Sequence, residues 1–152
     1  MLIFKGTNSN IDLKKKYAHL DIPGRIFWDF NLYTPEVLHS LISYCEASFA
    51  LYQDIGENIK NMGMASGKLM RSIACNRPVI ASQHDCFNFI KEFNLGILVN
   101  HPKEIAEALS MVLQNADEYA QNCRDNYIEN LSYEKYWKIF TNELHSLTGD
   151  SL

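Results

Sequence analysis

None of the seven glycines falls in a G-x-G-x-x-G or G-x-x-x-x-G-K-[ST] run, so the chain carries neither the dinucleotide fingerprint nor a P-loop. A G-x-S-x-G nucleophile elbow is missing as well, which leaves a hydrolase reading without support. No Asp-x-Asp pair offers a simple site for a metal-bound diphosphate, and His19, His39, His84, His101 and His145 are scattered without metal-ligand spacing. His84 alone falls in a loop expected at a ligand-binding edge, where a lone histidine reads first as a surface residue. Cys45, Cys75, Cys86 and Cys123 form no C-x-x-C, and three of them fall at apolar helical positions, so they read as reduced core thiols of a cytoplasmic protein. No apolar run approaches the ~18 residues of a membrane span, and the N-terminus lacks a signal peptide's charged start and long apolar stretch; membrane contact is at most peripheral. Basic charge is also scarce. Fourteen Lys and Arg against eighteen Asp and Glu give a net charge of -4, which argues against a nucleic-acid partner. The one basic block, Lys14-Lys15-Lys16, reads as a solvated helix face.

What is present suffices for a globular core: 152 residues, 47% of them apolar and 21% charged, the size of one ordinary domain. Strand and helix signals alternate along it, which predicts a parallel sheet covered by helices. Leu2-Ile3-Phe4 and Arg25-Ile26-Phe27-Trp28 read as the first two strands, separated by a helix near residues 11 to 19 and a turn at Pro23-Gly24. Thr34 and Pro35 open a helix that carries Leu38, Leu41, Ile42 and Cys45 at helical spacing. The third strand is Ser48-Phe49-Ala50-Leu51-Tyr52. Residues 53 to 65, polar and holding Gly56 and Gly63, read as a long loop at the carboxyl edge of the sheet, where ligands of open parallel sheets bind. After a fourth strand at Val79, Asp85 is placed to cap a short helix with Cys86, Phe89, Ile90 and Phe93 on one face. Gly96-Ile97-Leu98-Val99 is the fifth strand. Three helices follow, with inner faces Ile105, Ala108, Leu109, Val112, Leu113; then Tyr119, Cys123, Tyr127; then the aromatic stripe Tyr133, Tyr136, Trp137, Phe140, Leu144, which reads first as helix packing.

The segment from Ser66 to Ser82 is the most informative. Ser66 can cap a helix by accepting a backbone N–H two or three residues on, and Gly67 lets a ligand approach the free N–H groups of the first turn. Lys68 adds a cation where the helix dipole is already positive, an unfavourable placement that a bound diphosphate explains. Arg71 shares that face one turn later, either beside the same anion or paired with a loop carboxylate such as Glu57. Asn76 and Pro78 end the helix, the first tolerant of left-handed geometry and the second a breaker, before the strand Val79-Ile80-Ala81.

In these residues the chain resembles the C-terminal, nucleotide-sugar-binding domain of GT-B glycosyltransferases, above all the retaining family 4, which typically reads Lys-Leu-x-Glu-x-x-Ala-x-Gly-x-Pro-Val-Ile-Ala here. Lys68, Leu69, Ala74, Pro78, Val79, Ile80 and Ala81 match. Arg71 stands in place of the ribose-binding Glu, Asn76 in place of Gly, and the family's earlier acidic residue falls on Gly63. The order of the later segments, through Gly96-Ile97-Leu98-Val99 to Ser132-Tyr133-Glu134, fits the same domain. The resemblance implies a Rossmann-like open parallel sheet of about five strands with helices on both faces, and a donor site formed by Ser66, Gly67, Lys68, Leu69, Arg71, Trp28 and Tyr52, with the base near the loop after Trp28. It implies no metal and no cofactor beyond a nucleoside-diphosphate sugar as substrate. It also implies that residues 1–152 form a single truncated donor domain that lacks the acceptor-binding half. The expected partners are a separate N-terminal GT-B half or a second copy, and the chain alone is expected to be inactive in transferring sugar to a glycan or lipid-linked acceptor. Part of the last helix's stripe would then be an orphaned interdomain surface. The alternative is a non-catalytic nucleotide- or protein-binding module that kept the fold.

Overall fold

The computed structural model describes residues 1–6, 11–53 and 56–148. It divides the chain into two compact units, Met1–Leu38 and His39–Leu152.

The C-terminal unit is built on a three-stranded parallel sheet, β3 (Ser48–Ala50), β4 (Val79–Ser82) and β5 (Gly96–Val99), in the order β3-β4-β5. These strands are short and almost wholly apolar because both faces are covered, the usual reason that parallel strands show no polar alternation. Val79 and Ala81 point to one face and join Ala50, Leu69, Ile73, Phe87, Ile90 and Cys123 in a single cluster. Ile80 and Val99 point to the other and pack with Ala108 and Val112. Successive right-handed crossovers running in one direction set their helices on the same face. The packing agrees: α4 (Gly67–Ala74), between β3 and β4, and α5 (Asn88–Glu92), between β4 and β5, both feed the first cluster. The helix α6 (Ile105–Gln114) covers the second face, and α7 (Ala116–Asn126) returns Cys123 to the first. The result is an α/β unit with a parallel sheet between helical layers.

Two positions fix how tightly this sheet closes. Gly96 pairs with Val79 at a φ of +153°, and a Cβ built there would lie 1.9 Å from the Val79 carbonyl oxygen, so no larger residue fits. Asn76 sits at φ 57° in the left-handed region. It ends α4 in a Schellman motif, with the Asn76 N–H donating to the Ile73 carbonyl at 2.9 Å and the Arg77 N–H to the Ser72 carbonyl at 2.9 Å. Asn94 at φ 50° ends α5 in the same way.

The N-terminal unit holds β1 (Leu2–Lys5) and β2 (Ile26–Asp29), paired in parallel with Phe4 opposite Trp28, and α1 (Ile11–Lys16) between them. The Pro23-Gly24 turn precedes β2, and the Lys14–Lys16 block is exposed as expected. The helix α2 (Pro35–Ser43) starts in this unit at the proline. Phe4 and Trp28 stack at 4.7 Å, and Trp28 and Phe30 at 6.4 Å. At the carboxyl ends of both strands the Asp29 carboxylate accepts from the Asn31 N–H and side-chain amide, each at 2.9 Å, and the Lys5 ammonium reaches the Asn31 carbonyl at 2.6 Å.

Several sequence expectations change. The five strands are present as parallel ladders of two and of three, one in each unit; strand propensity marks strands but not their partners. The third strand ends at Ala50, and the stretch read as a long loop holds a short helix, α3 (Glu57–Lys60), and a 3-10 turn at Gly63–Ala65; residues 54 and 55 lie outside the described residues. Asp85 does not cap α5. A 3-10 turn, Asp85–Phe87, precedes that helix with His84 in the capping position and no side-chain cap. Leu113 is exposed rather than internal. The last helix, α8 (Tyr133–Thr148), follows a π-helical turn at Tyr127–Leu131 and has no buried residue, so its aromatic stripe is not packed against the described residues of its own unit. No described helix is long and apolar enough to cross a membrane.

Candidate functional site

Ser66 is the cap that the sequence indicates, with its hydroxyl accepting from the Leu69 N–H at 3.4 Å. The same oxygen lies 3.0 Å from the Tyr52 hydroxyl, and Ser66 is 1% exposed, so its side chain is consumed in holding the turn. Leu69 is fully buried in the core; its contribution is to anchor the first turn of α4. That leaves Gly67 and Lys68, both exposed, as the residues that present this turn to solvent. The first N–H groups of a helix have no partner within it. Among the described residues those of Gly67 and Lys68 have no other acceptor. A Cβ on Gly67 would meet nothing within 4 Å, so no described residue packs against that position of the turn.

Tyr52 organises the surroundings. It leaves the carboxyl end of β3 and donates its backbone N–H to the Ser82 hydroxyl at 2.7 Å, which ties it to the end of β4. Its carbonyl lies 3.3 Å from His84 Nε2; a carbonyl only accepts, so that nitrogen carries the proton. The Tyr52 and His84 rings both lie 5.7 Å from Phe87, which is fully buried. The Lys68 ammonium sits 5.3 Å over the Tyr52 ring, a cation–π contact that steers it toward the same edge. Strand ends, helix start and cation therefore meet at the carboxyl edge of β3 and β4.

Lys68 and Arg71 are unpaired at this edge. The two ion pairs among the described residues are Lys15–Asp12 at 3.5 Å and Lys60–Glu57 at 3.2 Å, so neither Lys68 nor Arg71 has a carboxylate partner there. Glu57 pairs with Lys60 because both belong to α3, one turn apart, which removes it as the expected partner of Arg71. Arg71 is exposed one turn beyond Lys68. Its guanidinium has only donors and cannot accept from ribose hydroxyls as a Glu would. Gly63, where the resembled family has an acidic residue, has a φ of +46°, and a Cβ there would lie 3.3 Å from the Cys86 carbonyl oxygen. Backbone geometry and packing both select glycine at this position.

Six of the seven residues expected to form the site belong to the C-terminal unit: Tyr52, Ser66, Gly67, Lys68, Leu69 and Arg71. Trp28 belongs to the N-terminal unit, half-buried between Phe4 and Phe30, with its indole nitrogen buried and unpartnered among the described residues. Ser82 and His84 are the additions. His84 is half-buried and bound to Tyr52 rather than a free surface residue. Its position in a loop at the ligand edge was the only sequence signal for it. Among the described residues no three His, Cys, Asp or Glu side chains gather as metal ligands. All four cysteines are free, and burial pushes the Cys123 thiol up to about 12, which keeps it protonated and inert. The chain matches no protein-family model, no curated protein and no solved structure.

Proposed function

We infer that the C-terminal unit is a donor-binding domain of a sugar-nucleotide-dependent glycosyltransferase, taking the diphosphate of a nucleoside-diphosphate sugar at the N-terminus of α4. The observation that carries this reading is the first turn of α4 beside Tyr52 at the end of β3, where the N–H groups of Gly67 and Lys68 have no acceptor and the Lys68 ammonium has no carboxylate partner among the described residues. A helix N-terminus with free donors favours an anion, and a cation held beside it strengthens that preference. Tyr52 and Ser66 supply rigidity, since their mutual hydrogen bond and the Ser82 contact hold the turn before any ligand arrives. Preorganised donors are what stabilise charge developing on a leaving diphosphate. The sugar would then pass to a glycan or lipid-linked acceptor.

Titration calorimetry with uridine, guanosine and adenosine diphosphates tests this. Lys68→Ala should weaken binding by about 1 to 3 kcal/mol, the range for a lost charge-assisted hydrogen bond. Equal affinity in both proteins would remove Lys68 from the site.

Arg71 favours a second reading, a non-catalytic nucleotide-binding module, because a donor-only side chain stands where ribose hydroxyls need an acceptor. Arg71→Glu separates the two. If the ribose pocket is retained, ribose ligands should gain over their 2′-deoxy counterparts; if Arg71 grips the diphosphate beside Lys68, both should weaken alike.

A further inference from the structure

The helix α8 carries an apolar stripe that nothing among the described residues of its own unit covers. Tyr133, Tyr136, Trp137, Phe140 and Leu147 are 67, 46, 51, 55 and 82% exposed. Tyr133 and Trp137 stack at 5.9 Å, and Trp137 and Phe140 lie 5.7 Å apart, so the rings already form one continuous surface. Four aromatic side chains exposed to this degree, with Leu147, present roughly 550 Å² of apolar surface. That is near the upper end of the largest patch on an ordinary monomer. Doubled across a two-fold axis it reaches about 1,100 Å², just past the roughly 1,000 Å² that a specific interface should clear.

We propose that this stripe is the interface of a homodimer, in which α8 packs antiparallel against α8 of a second copy. The spacing supports a helical partner. Tyr133, Trp137, Phe140, Leu144 and Leu147 recur at intervals of four, three, four and three, the seam that one helix presents to another of like pattern. An antiparallel pairing that sets Trp137 against Phe140 of the partner subunit also sets Tyr133 against Leu144 of the partner subunit. It brings Glu143 alongside Tyr136 of the partner subunit, where the carboxylate can accept from the phenol. Glu134, Glu143, Lys135 and Lys138 leave the helix with balanced formal charge, so two copies meet without repulsion along it and the helix dipoles oppose. A helix that lies on a bilayer carries an excess of Lys and Arg on its polar face, and this one does not. Stacked rings lose little conformational freedom on binding, which raises the share of the buried area that appears as affinity.

Sedimentation equilibrium of the full chain from low to high micromolar concentration tests the proposal. The wild type should approach twice its 17.5 kDa chain mass. Trp137→Ala should raise the dissociation constant at least about thirtyfold, the effect of a central aromatic anchor. Trp137→Glu and Phe140→Lys should each be monomeric with unchanged far-ultraviolet circular dichroism, since both side chains are exposed, and an equimolar mixture of the two should regain a dimer. Asn142→Ala, on the opposite side of the helix, should leave the dimer intact. A wild type that stays monomeric, a dimer indifferent to Trp137→Glu, or variants that fail to complement would each overturn the proposal. So would a monomer that co-sediments with phosphatidylcholine vesicles, which would assign the stripe to a lipid surface.

Discussion

The two units spend similar apolar sequence in different ways. In the C-terminal unit a three-stranded sheet has helices on both faces, and Ala50, Val79, Ile80, Ala81, Phe87 and Ile90 are all fully buried. In the N-terminal unit, with Leu2, Ile3, Phe4, Ile26, Phe27 and Trp28 on two strands, no described residue is fully buried, and Phe27 is 53% exposed. Apolar residues alone do not make a core; covering layers do. A ladder of two strands is marginal in water, whereas three strands covered on both faces can hold a binding edge rigid. The preorganised groups around Tyr52 accordingly sit in the unit with the filled core.

The sharpest way to break this contrast is Gly96→Ala. Its Cβ would lie 1.9 Å from the Val79 carbonyl oxygen, so β4 and β5 must separate or the chain must strain. The expected loss exceeds about 3 kcal/mol in urea unfolding, the range of mutations that disrupt a packed core. A near-neutral result would mean that the two strands do not approach as closely as described.

Next in size is a matched pair. Phe87→Ala, in the filled core, should cost about 3 to 5 kcal/mol. Phe27→Ala, exposed on β2, should cost under about 1 kcal/mol, the usual scale for surface changes. Equal losses would erase the distinction between the units.

Acid should act on the N-terminal unit through Asp29. The Asn31 N–H holds its carboxyl below the usual value of 3.8, with Tyr33 and Lys5 adding to the effect against partial burial. A carboxylate depressed in the folded state gives stability that is present above its unfolded value of about 3.9 and is lost as pH falls through the lower folded value. Carbon NMR of the Asp29 carboxyl should therefore show a midpoint below that of an unfolded reference. Lys5→Met should move it part of the way back. A midpoint at the reference value would show that the Asp29–Asn31 contact does not persist in solution.

The smallest expected effect is Asn76→Gly. Asn already serves the left-handed C-cap that Gly fills most easily, so stability should change by only a few tenths of a kcal/mol. Asn76→Val at the same place should be clearly destabilising, because a β-branched residue resists that conformation.

Much of this was legible in the sequence wherever a local rule decides the outcome. The Ser66 cap, the Asn76 stop and the five strand positions depend on residues within a few places of one another. The exposed stripe of α8 was not legible from its residues, since periodicity says which side of a helix is apolar but not whether anything covers it; only the resemblance raised an uncovered surface there. Nor was the role of His84 and Ser82, because both are defined by the backbone of Tyr52, thirty or more residues away in sequence. The grouping of the strands into ladders of two and three was not legible for the same reason: which strand lies beside which is a property of the whole chain.

The central claim is that the first turn of α4 receives a nucleoside diphosphate, and amide NMR during a titration with that ligand tests it most directly. The account expects the largest shifts at the Gly67 and Lys68 amides, with smaller ones at Tyr52 and His84, and their loss in Lys68→Ala. Saturating ligand that leaves the Gly67 and Lys68 amides unmoved would contradict it.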